Sequence, residues 1–439
     1  MNQISNKKAE NVRDVIRYLK KFHNALIVIY LDDKTISSAL FSSHIRDIAL
    51  LHQAGLKVVI IPGARARIDE VLSSAKIDWS YKDNIRITDD KAMPLVKMAA
   101  FDVSNTVMTN LAANNITAVI GNWVRARAKG VIEGFDFGAA GEIDRLDTSS
   151  LQTVLNDGFI PIFPCIGWSS VGKPYNISSV VLAQQVAVAL KADKLFFVMG
   201  EGAPVLRDGE ILPAMNIEEV DQYAASLKSA QDEKSSGLKN LLTLAKDACL
   251  KGVNRSHLLD GNIDGVMLTE IFSDLGSGTM IYTSNYGKIR DMQQTDIPSV
   301  LALMRPFIAS GKLLPRSESD IARELADFSV YEFDGAVRAC AALHKYSDGQ
   351  CEIAAVAVDE AYSHIGIGPK LVEGLIQNAR ACGAKSVFIM TTQASDWFEK
   401  IGFTEDTIDS IPPERKAKWS PDRGSKVYRL GSLSLSKGH

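Results

Sequence analysis

Ile353-Ala354-Ala355-Val356-Ala357-Val358 runs through a short polar interval into Tyr362-Ser363-His364-Ile365-Gly366-Ile367-Gly368, and an amphipathic helix over 369–381 follows. An apolar run, a glycine turn and a helix N-terminus, in that order, aim several backbone N–H groups at one place, which suits an anion. Taken alone, Gly-Ile-Gly is equally a tight strand-to-helix turn. The flanking pattern decides between the two. Upstream it predicts a strand at 288–291, helices at 296–309 and 317–326, and strands at 329–333, 337–343 and 352–358; downstream it predicts a strand at 386–392 and a short helix at 395–401. Together these make an α+β unit, a meander leading into one strand–turn–helix.

The N-terminal part reads differently. Val12, Val15, Ile16 and Leu19 share one face of a helix. Strand 25–31, helix 42–54 and strand 57–61 then form a parallel β-α-β unit. Strand 160–165, helix 180–190, strand 195–199 and the helix and strand over 238–259 extend a mostly parallel sheet with helices on both faces, an α/β domain. Between them, Thr117–Phe137 carries three glycines and suggests β-hairpins. The turn-prone Ser284-Asn285-Tyr286-Gly287 separates the two patterns, giving domains at 1–285 and 287–439.

Composition excludes several functions. A chain of 439 residues with net charge −3 has no basic footprint for nucleic acid or an anionic membrane. Its longest apolar run, Ala25–Leu31, is far below the ~20 residues that span a bilayer. Residues 1–11 carry no apolar signal segment, so a cytoplasmic location is expected. Five scattered cysteines with no C-x-x-C pair read as buried thiols in a reducing compartment, and no metal site is expected.

With Trp397-Phe398-Glu399-Lys400-Ile401-Gly402-Phe403 added, residues 287–430 resemble the GNAT-type N-acetyltransferases. The resemblance implies acetyl-CoA as co-substrate. Its pantetheine arm would pair with the backbone of Val356, Ala357 and Val358, and its pyrophosphate would lie over His364, Ile365, Gly366, Ile367 and Gly368. Ser363 stands where the family usually has Arg or Gln, which removes one pyrophosphate contact and leaves the backbone donors.

The whole chain resembles the bacterial N-acetylglutamate synthases, an amino acid kinase-like domain fused to a GNAT domain. The markers are Pro62–Asp69, Asn84–Asp89, Leu313–Ser317 and Arg423-Gly424-Ser425-Lys426-Val427. A working kinase of this fold would carry a lysine and glycines around its phosphates. Tyr30, Asp32 and Asp33, then Gly63-Ala64-Arg65, stand there instead, and two carboxylates repel phosphate. Phosphoryl transfer is therefore expected to be lost. His257, Glu270, Gly276 and Gly278 match the family's arginine-inhibition motif, implying L-arginine as a feedback effector; a carboxylate can hold a guanidinium in a bidentate pair.

The resemblance further implies transfer of acetyl to the α-amino group of L-glutamate, the first step of arginine biosynthesis. Arg316 and Arg423, with Ser425, Leu314 and Ala355, would bind the dicarboxylate. Glu352 would be the base that frees the amine, Thr391 the hydroxyl that assists the leaving thiolate, and backbone N–H groups near Ala355–Val356 would face the oxyanion. Cys351 has no His/Asp partner and reads as packing. Competing readings are acetylation of another amino acid, a non-catalytic arginine-responsive regulator, and residual kinase activity. The N-terminal helix could cover either its own domain or a neighbouring subunit; the resemblance implies a homo-oligomer, a hexamer.

Overall fold

A computed structural model describes residues 22–82, 84–207, 209–227, 233–272, 276–283, 287–333, 335–360, 362, 366–420 and 424–430. The helix read over Val12–Leu19 lies outside them. The chain divides into two compact units, Met1–Thr283 and Ser284–His439.

The first unit is built on an eight-stranded sheet. In spatial order its strands are Ala214–Asn216, Thr279–Tyr282, Arg255–Asp260, Lys194–Met199, Leu26–Leu31, Lys57–Pro62, Ile160–Ile162 and Ala118–Ile120. Neighbours run parallel except Arg255–Asp260 against Thr279–Tyr282. Leu26–Leu31 and Lys57–Pro62 are apolar without alternation because both faces are covered. Val28, Tyr30, Val59 and Ile61 enter one core, and Ile27, Ile29, Val58 and Ile60 enter the other.

Two readings of this unit are corrected. Thr117–Phe137 is not a run of hairpins. Ala118–Ile120 joins the large sheet parallel to Ile160–Ile162, and Val124–Ala128 pairs with Gly141–Leu146 in a separate four-stranded sheet. A hairpin forms only at Val131–Ile132 with Phe135–Asp136. The change of sheet falls at Gly121, where an added Cβ would sit 2.4 Å from the Trp123 ring, so the chain folds back over that indole. Likewise the strand read over Ile160–Cys165 stops at Ile162 and resumes as Ile166–Trp168 in the smaller sheet. Pro164 between them has no N–H to donate to a ladder.

The second unit is a seven-stranded sheet in the order Gly287–Asp291, Phe328–Phe333, Ala336–Lys345, Gln350–Val358, Ser386–Thr391, Lys426–Leu430, Phe403–Asp406. All neighbours are antiparallel except Gln350–Val358 with Ser386–Thr391. Helices Ile297–Ala309, Glu318–Arg323, Ile367–Ala381 and Ser395–Lys400 complete it. Four cysteines are buried, but Cys382 is exposed. It caps the C-terminus of Ile367–Ala381, where the helix turns into solvent.

Two irregularities shape the central strand. Cys340 faces Ala357 while Ala342 faces Ala354, so the single residue Ala341 opposes both Ala355 and Val356. Ala355 adopts φ 54° at this bulge, a conformation that costs a non-glycine residue energy and bends the strand. On the other edge, pairing with Ser386–Thr391 covers Gln350 to Ile353 and stops there. Ala354 to Val358 thus leaves the sheet on that side, with its backbone groups unladdered.

Candidate active site and effector site

The motif strand ends at Val358, and the next helix begins at Ile367, capped by Gly366. Gly366 has φ 70° and nothing within 4 Å of where a Cβ would be, so its conformation rather than its size is needed. At Gly368 the requirement is space, since a Cβ would stand 3.1 Å from Trp397 and 3.4 Å from Val358. The helix Ile367–Ala381 starts here beside Val358, and its first-turn N–H groups have no partner within the helix. Val356, Ala357, Val358, Gly366, Ile367 and Gly368 are thus contiguous around one strand end and helix start. His364 and Ile365 lie outside the described residues.

One face of this sheet presents two adjacent cross-strand rows. Phe328, Ala342 and Ala354 make the first; His344, Glu352 and Phe388 make the second. The alanines leave an apolar floor. Arg316 lies over the Phe328 ring, 5.6 Å from its centroid, and is ion-paired with Glu324. Leu314, just before it, is 58% exposed. The floor therefore has a guanidinium on one side and the His344–Glu352 row on the other. Ser425 precedes the strand whose Lys426 faces Thr391, which puts it at the same end of the sheet as Thr391. Arg423 lies outside the described residues.

Glu352 is not a strand-end carboxylate in solvent. It is 3% exposed, and its Oε2 accepts the Tyr346 hydroxyl at 2.7 Å and the Arg415 Nε–H at 2.8 Å. Burial and the Glu352 charge together push the Tyr346 phenol far above its ordinary value, so it keeps its proton and donates a hydrogen bond to Glu352 at any working pH. No partner falls to Oε1 among the described residues. Thr391 Oγ1 accepts N–H groups from Ala394 at 3.0 Å and Gln393 at 3.4 Å, leaving its proton available to donate. Thr392 next to it has a buried hydroxyl with no hydrogen-bond partner. Arg415, Tyr346, His344 and Thr392 escaped the sequence reading. Of these only Thr392, adjacent to Thr391 in sequence, carried a local signal.

In the first unit, His257, Glu270, Gly276 and Gly278 come together. His257 Nδ1 is 2.5 Å from Glu270 Oε1, and Glu270 Oε2 accepts the Ser277 and Gly278 N–H groups at 2.6 and 3.0 Å. A Cβ on Gly276 would stand 2.5 Å from that same oxygen. Lys194, missed from sequence, sits 3.4 Å from His257 Nε2. Burial first and the Lys194 charge second bring His257 down to about 4. Burial alone would raise Glu270, but its His257 contact, the Ser277 N–H and Lys194 outweigh it and bring it to about 2. At neutral pH the chain of donors therefore runs from Lys194 ammonium to neutral His257 to ionised Glu270.

After the first strand, Asp33 Oδ2 accepts the Ala66 N–H at 2.7 Å, at the N-terminus of helix Arg65–Ser74. A side-chain carboxylate thus fills a helix-start anion position. Burial, with Asp33 beside it, raises Asp32 to about 6.

The Amino acid kinase family model matches residues 26–260, and the Acetyltransferase (GNAT) family model matches 301–403. The amino-acid acetyltransferase of Actinobacillus pleuropneumoniae serotype 7 is 33% identical over 420 residues, covering 94% of this chain and 96% of the relative. That of Edwardsiella ictaluri is 32% identical over 97% of this chain and 99% of its own. The chain belongs to the amino-acid acetyltransferase family. The acetyltransferase is similar along 97% of its length to crystalline N-acetylglutamate synthase from Neisseria gonorrhoeae complexed with coenzyme A and L-arginine, at TM-score 0.80 and 28% identity, covering 99% of that chain. The same Neisseria enzyme complexed with coenzyme A and N-acetyl-glutamate matches over 96% of this chain and 98% of its own, at TM-score 0.63 and 29% identity. This acetyltransferase is thus an amino-acid N-acetyltransferase with an amino acid kinase-like unit followed by a GNAT unit, and acetyl-CoA is its co-substrate. Among its described residues no helix is long and apolar enough to cross a membrane.

Proposed function

We propose that this enzyme is a cytoplasmic N-acetylglutamate synthase, acetylating the α-amino group of L-glutamate and feedback-regulated by L-arginine. The observation that carries the substrate is Arg316, a guanidinium held over Phe328 at the end of the alanine row that neighbours the Glu352 row, so that a carboxylate-bearing amine would lie between cation and base. The Neisseria enzyme crystallised with N-acetyl-glutamate supports the same reading. Arg423, Ser425, Leu314 and the Ala355 backbone complete the substrate contacts. Val356, Ala357 and Val358 pair with the pantetheine arm, and the turn from His364 through Ile365, Gly366, Ile367 and Gly368 receives the pyrophosphate.

Glu352 removes a proton from the ammonium through Oε1, while Arg415 and Tyr346 hold Oε2. The amine then attacks the thioester directly, and Thr391 donates to the departing sulfur. In the kinase-like unit, residues 1–285, Asp33 fills the helix-start anion position, which opposes phosphate binding. That unit serves as the arginine sensor through His257, Glu270, Gly276 and Gly278, supported by Glu270's burial within that motif. The functional assembly is a homo-oligomer, a hexamer on the family pattern.

The test is CoA release from acetyl-CoA with glutamate, aspartate, glutamine or ornithine, each with and without arginine. Glutamate-dependent release that falls on adding arginine is the expected result. Release only with another acceptor overturns the substrate, and an arginine-blind rate overturns the sensor.

A further inference from the structure

Acetyl transfer from a thioester to an alkylammonium removes two protons from nitrogen. One ends on the coenzyme sulfur and the other goes to solvent. Glu352 offers a single unencumbered oxygen, Oε1, because Oε2 already accepts two hydrogen bonds. A second acceptor stands directly across the ladder. His344 is the register partner of Glu352, so both side chains rise from the same face with Cβ atoms about 4.5–5.5 Å apart. His344 Nδ1 is 2.8 Å from Asp327 Oδ2. A carboxylate there takes the Nδ1 proton and leaves the Nε2 lone pair outward, the tautomer a proton acceptor needs. Among the described residues Nε2 has no partner. Asp327 immediately precedes Phe328, the ring beneath Arg316. His344 therefore lies between the cation that would hold the substrate carboxylate and the carboxylate that would receive its proton.

We propose that His344, oriented by Asp327, is a second proton acceptor for acetyl transfer, working beside Glu352 on the same amine. The proposal rests on the reading that an amino acid binds over the Ala342–Ala354 floor. Glu352 Oε1 takes the first proton from the ammonium and passes it to solvent. The freed nitrogen lone pair forms the C–N bond to the thioester carbon. His344 Nε2 takes the second proton from the nitrogen of the adduct, directly or through one water, the C–S bond breaks with its electron pair on sulfur, and the thiolate is protonated to free coenzyme A.

Steady-state CoA release by the full chain tests this with His344→Gln, His344→Gly and Asp327→Asn. His344→Gln is expected to lower kcat by about 100-fold, the low end of general-base effects, with KM for acetyl-CoA and the acceptor changed less than about twofold. Added imidazole should restore the His344→Gly rate in proportion to its neutral form, which a merely structural histidine would not permit. Asp327→Asn should lower kcat without raising either KM, because an amide can favour the wrong tautomer. An unchanged kcat in His344→Gln overturns the proposal. So does a loss in His344→Gly that imidazole cannot reverse while the variant still binds acetyl-CoA. Each protein is run with glutamate, aspartate, glutamine and ornithine. Failure of the glutamate reading then appears as wild-type release with a different acceptor, whereas failure of this proposal appears as an unaffected His344→Gln rate with whichever acceptor the wild type uses.

Discussion

Replacing Arg415 with methionine keeps most of the unbranched stem and removes the charged head, which isolates what the guanidinium does for Glu352. The pair is 2.8 Å apart, with Glu352's side chain 4% exposed and Arg415's 20%. Breaking a fully buried pair by removing one partner costs about 3–5 kcal/mol. Here one partner reaches solvent and Tyr346 still donates to the same oxygen, so about 2–3 kcal/mol is the expected loss. At about 1.4 kcal/mol per tenfold, that corresponds to roughly 30- to 150-fold faster hydrogen exchange in the strand Gln350–Val358 when opening limits exchange. Hydrogen exchange read by mass spectrometry on that peptide is preferable to a global melt, because the chain has two compact units and its unfolding is not one transition. The control is the same change in a Glu352→Gln background, where no buried charge is left stranded and the cost should drop below about 1 kcal/mol. The reasoning is refuted if Arg415→Met accelerates exchange equally in both backgrounds, since the loss would then come from packing of the arginine stem. Activity gives a second reading. Glu352→Gln should lower kcat by roughly 10²- to 10⁴-fold, and Arg415→Met should add little to that deficit.

Three further outcomes follow from the geometry. Between the ordinary histidine value near ~6.5 and its folded value of about 4, His257 binds a proton only when unfolded, so acidification through that window destabilises the folded chain. A shift of that size is worth about 3 kcal/mol; Glu270, held at about 2, adds a further loss below its ordinary carboxylate value. Hydrogen exchange in the strand Arg255–Asp260 should show wild type losing its advantage over His257→Gln between pH 7 and 4, and parallel pH curves would sink the assignment. Gly276→Ala drives a methyl group into the Glu270 carboxylate, so arginine inhibition should weaken by at least tenfold in half-saturating concentration while the rate without arginine holds. Thr391→Val loses the acceptor for Ala394 N–H as well as a proton donor, whereas Thr392→Val removes a hydroxyl with no partner. If Thr391 assists the leaving sulfur, kcat falls about tenfold or more in Thr391→Val alone; a larger fall in Thr392→Val transfers that role to its neighbour.

The fold was legible because its signals are local and agree with one another. Continuous apolar strands in the first unit and the strand–glycine turn–helix in the second each have one economical interpretation. Misreadings arose where the deciding interaction was not local. Gly121 looked like a hairpin glycine because its indole neighbour can be seen only once the chain has folded back. The bulge at Ala355 had no signature either, since alanine rather than glycine occupies the positive-φ position. In the candidate site, Glu352 was picked out as the proposed base by its place on the motif strand together with the family resemblance. Its two donors were not, because Tyr346 reaches it around a turn and Arg415 from 63 residues away.

That distribution bears on how the site works. A buried carboxylate on a sheet interior is tolerable only if its charge is matched. Arg415 and Tyr346 supply the match on a single oxygen and orient the other. Small residues then have to surround that oxygen. Ala342, Ala354 and Ala355 are such residues, and they sit at the place where the ladder to Ser386–Thr391 ends. Replacing Ala354 by valine tests whether this floor is the acceptor site. Ala354 is half-buried, unlike its fully buried row partner Ala342, so two added methyl groups would narrow the space beside Glu352. KM for the amino-acid acceptor should therefore rise by tenfold or more, with KM for acetyl-CoA nearly unchanged, since the edge proposed for the pantetheine arm is backbone from Val356 onward. Equal increases in both constants would mean that the two substrates share this floor, and the proposed acceptor site would have to be abandoned.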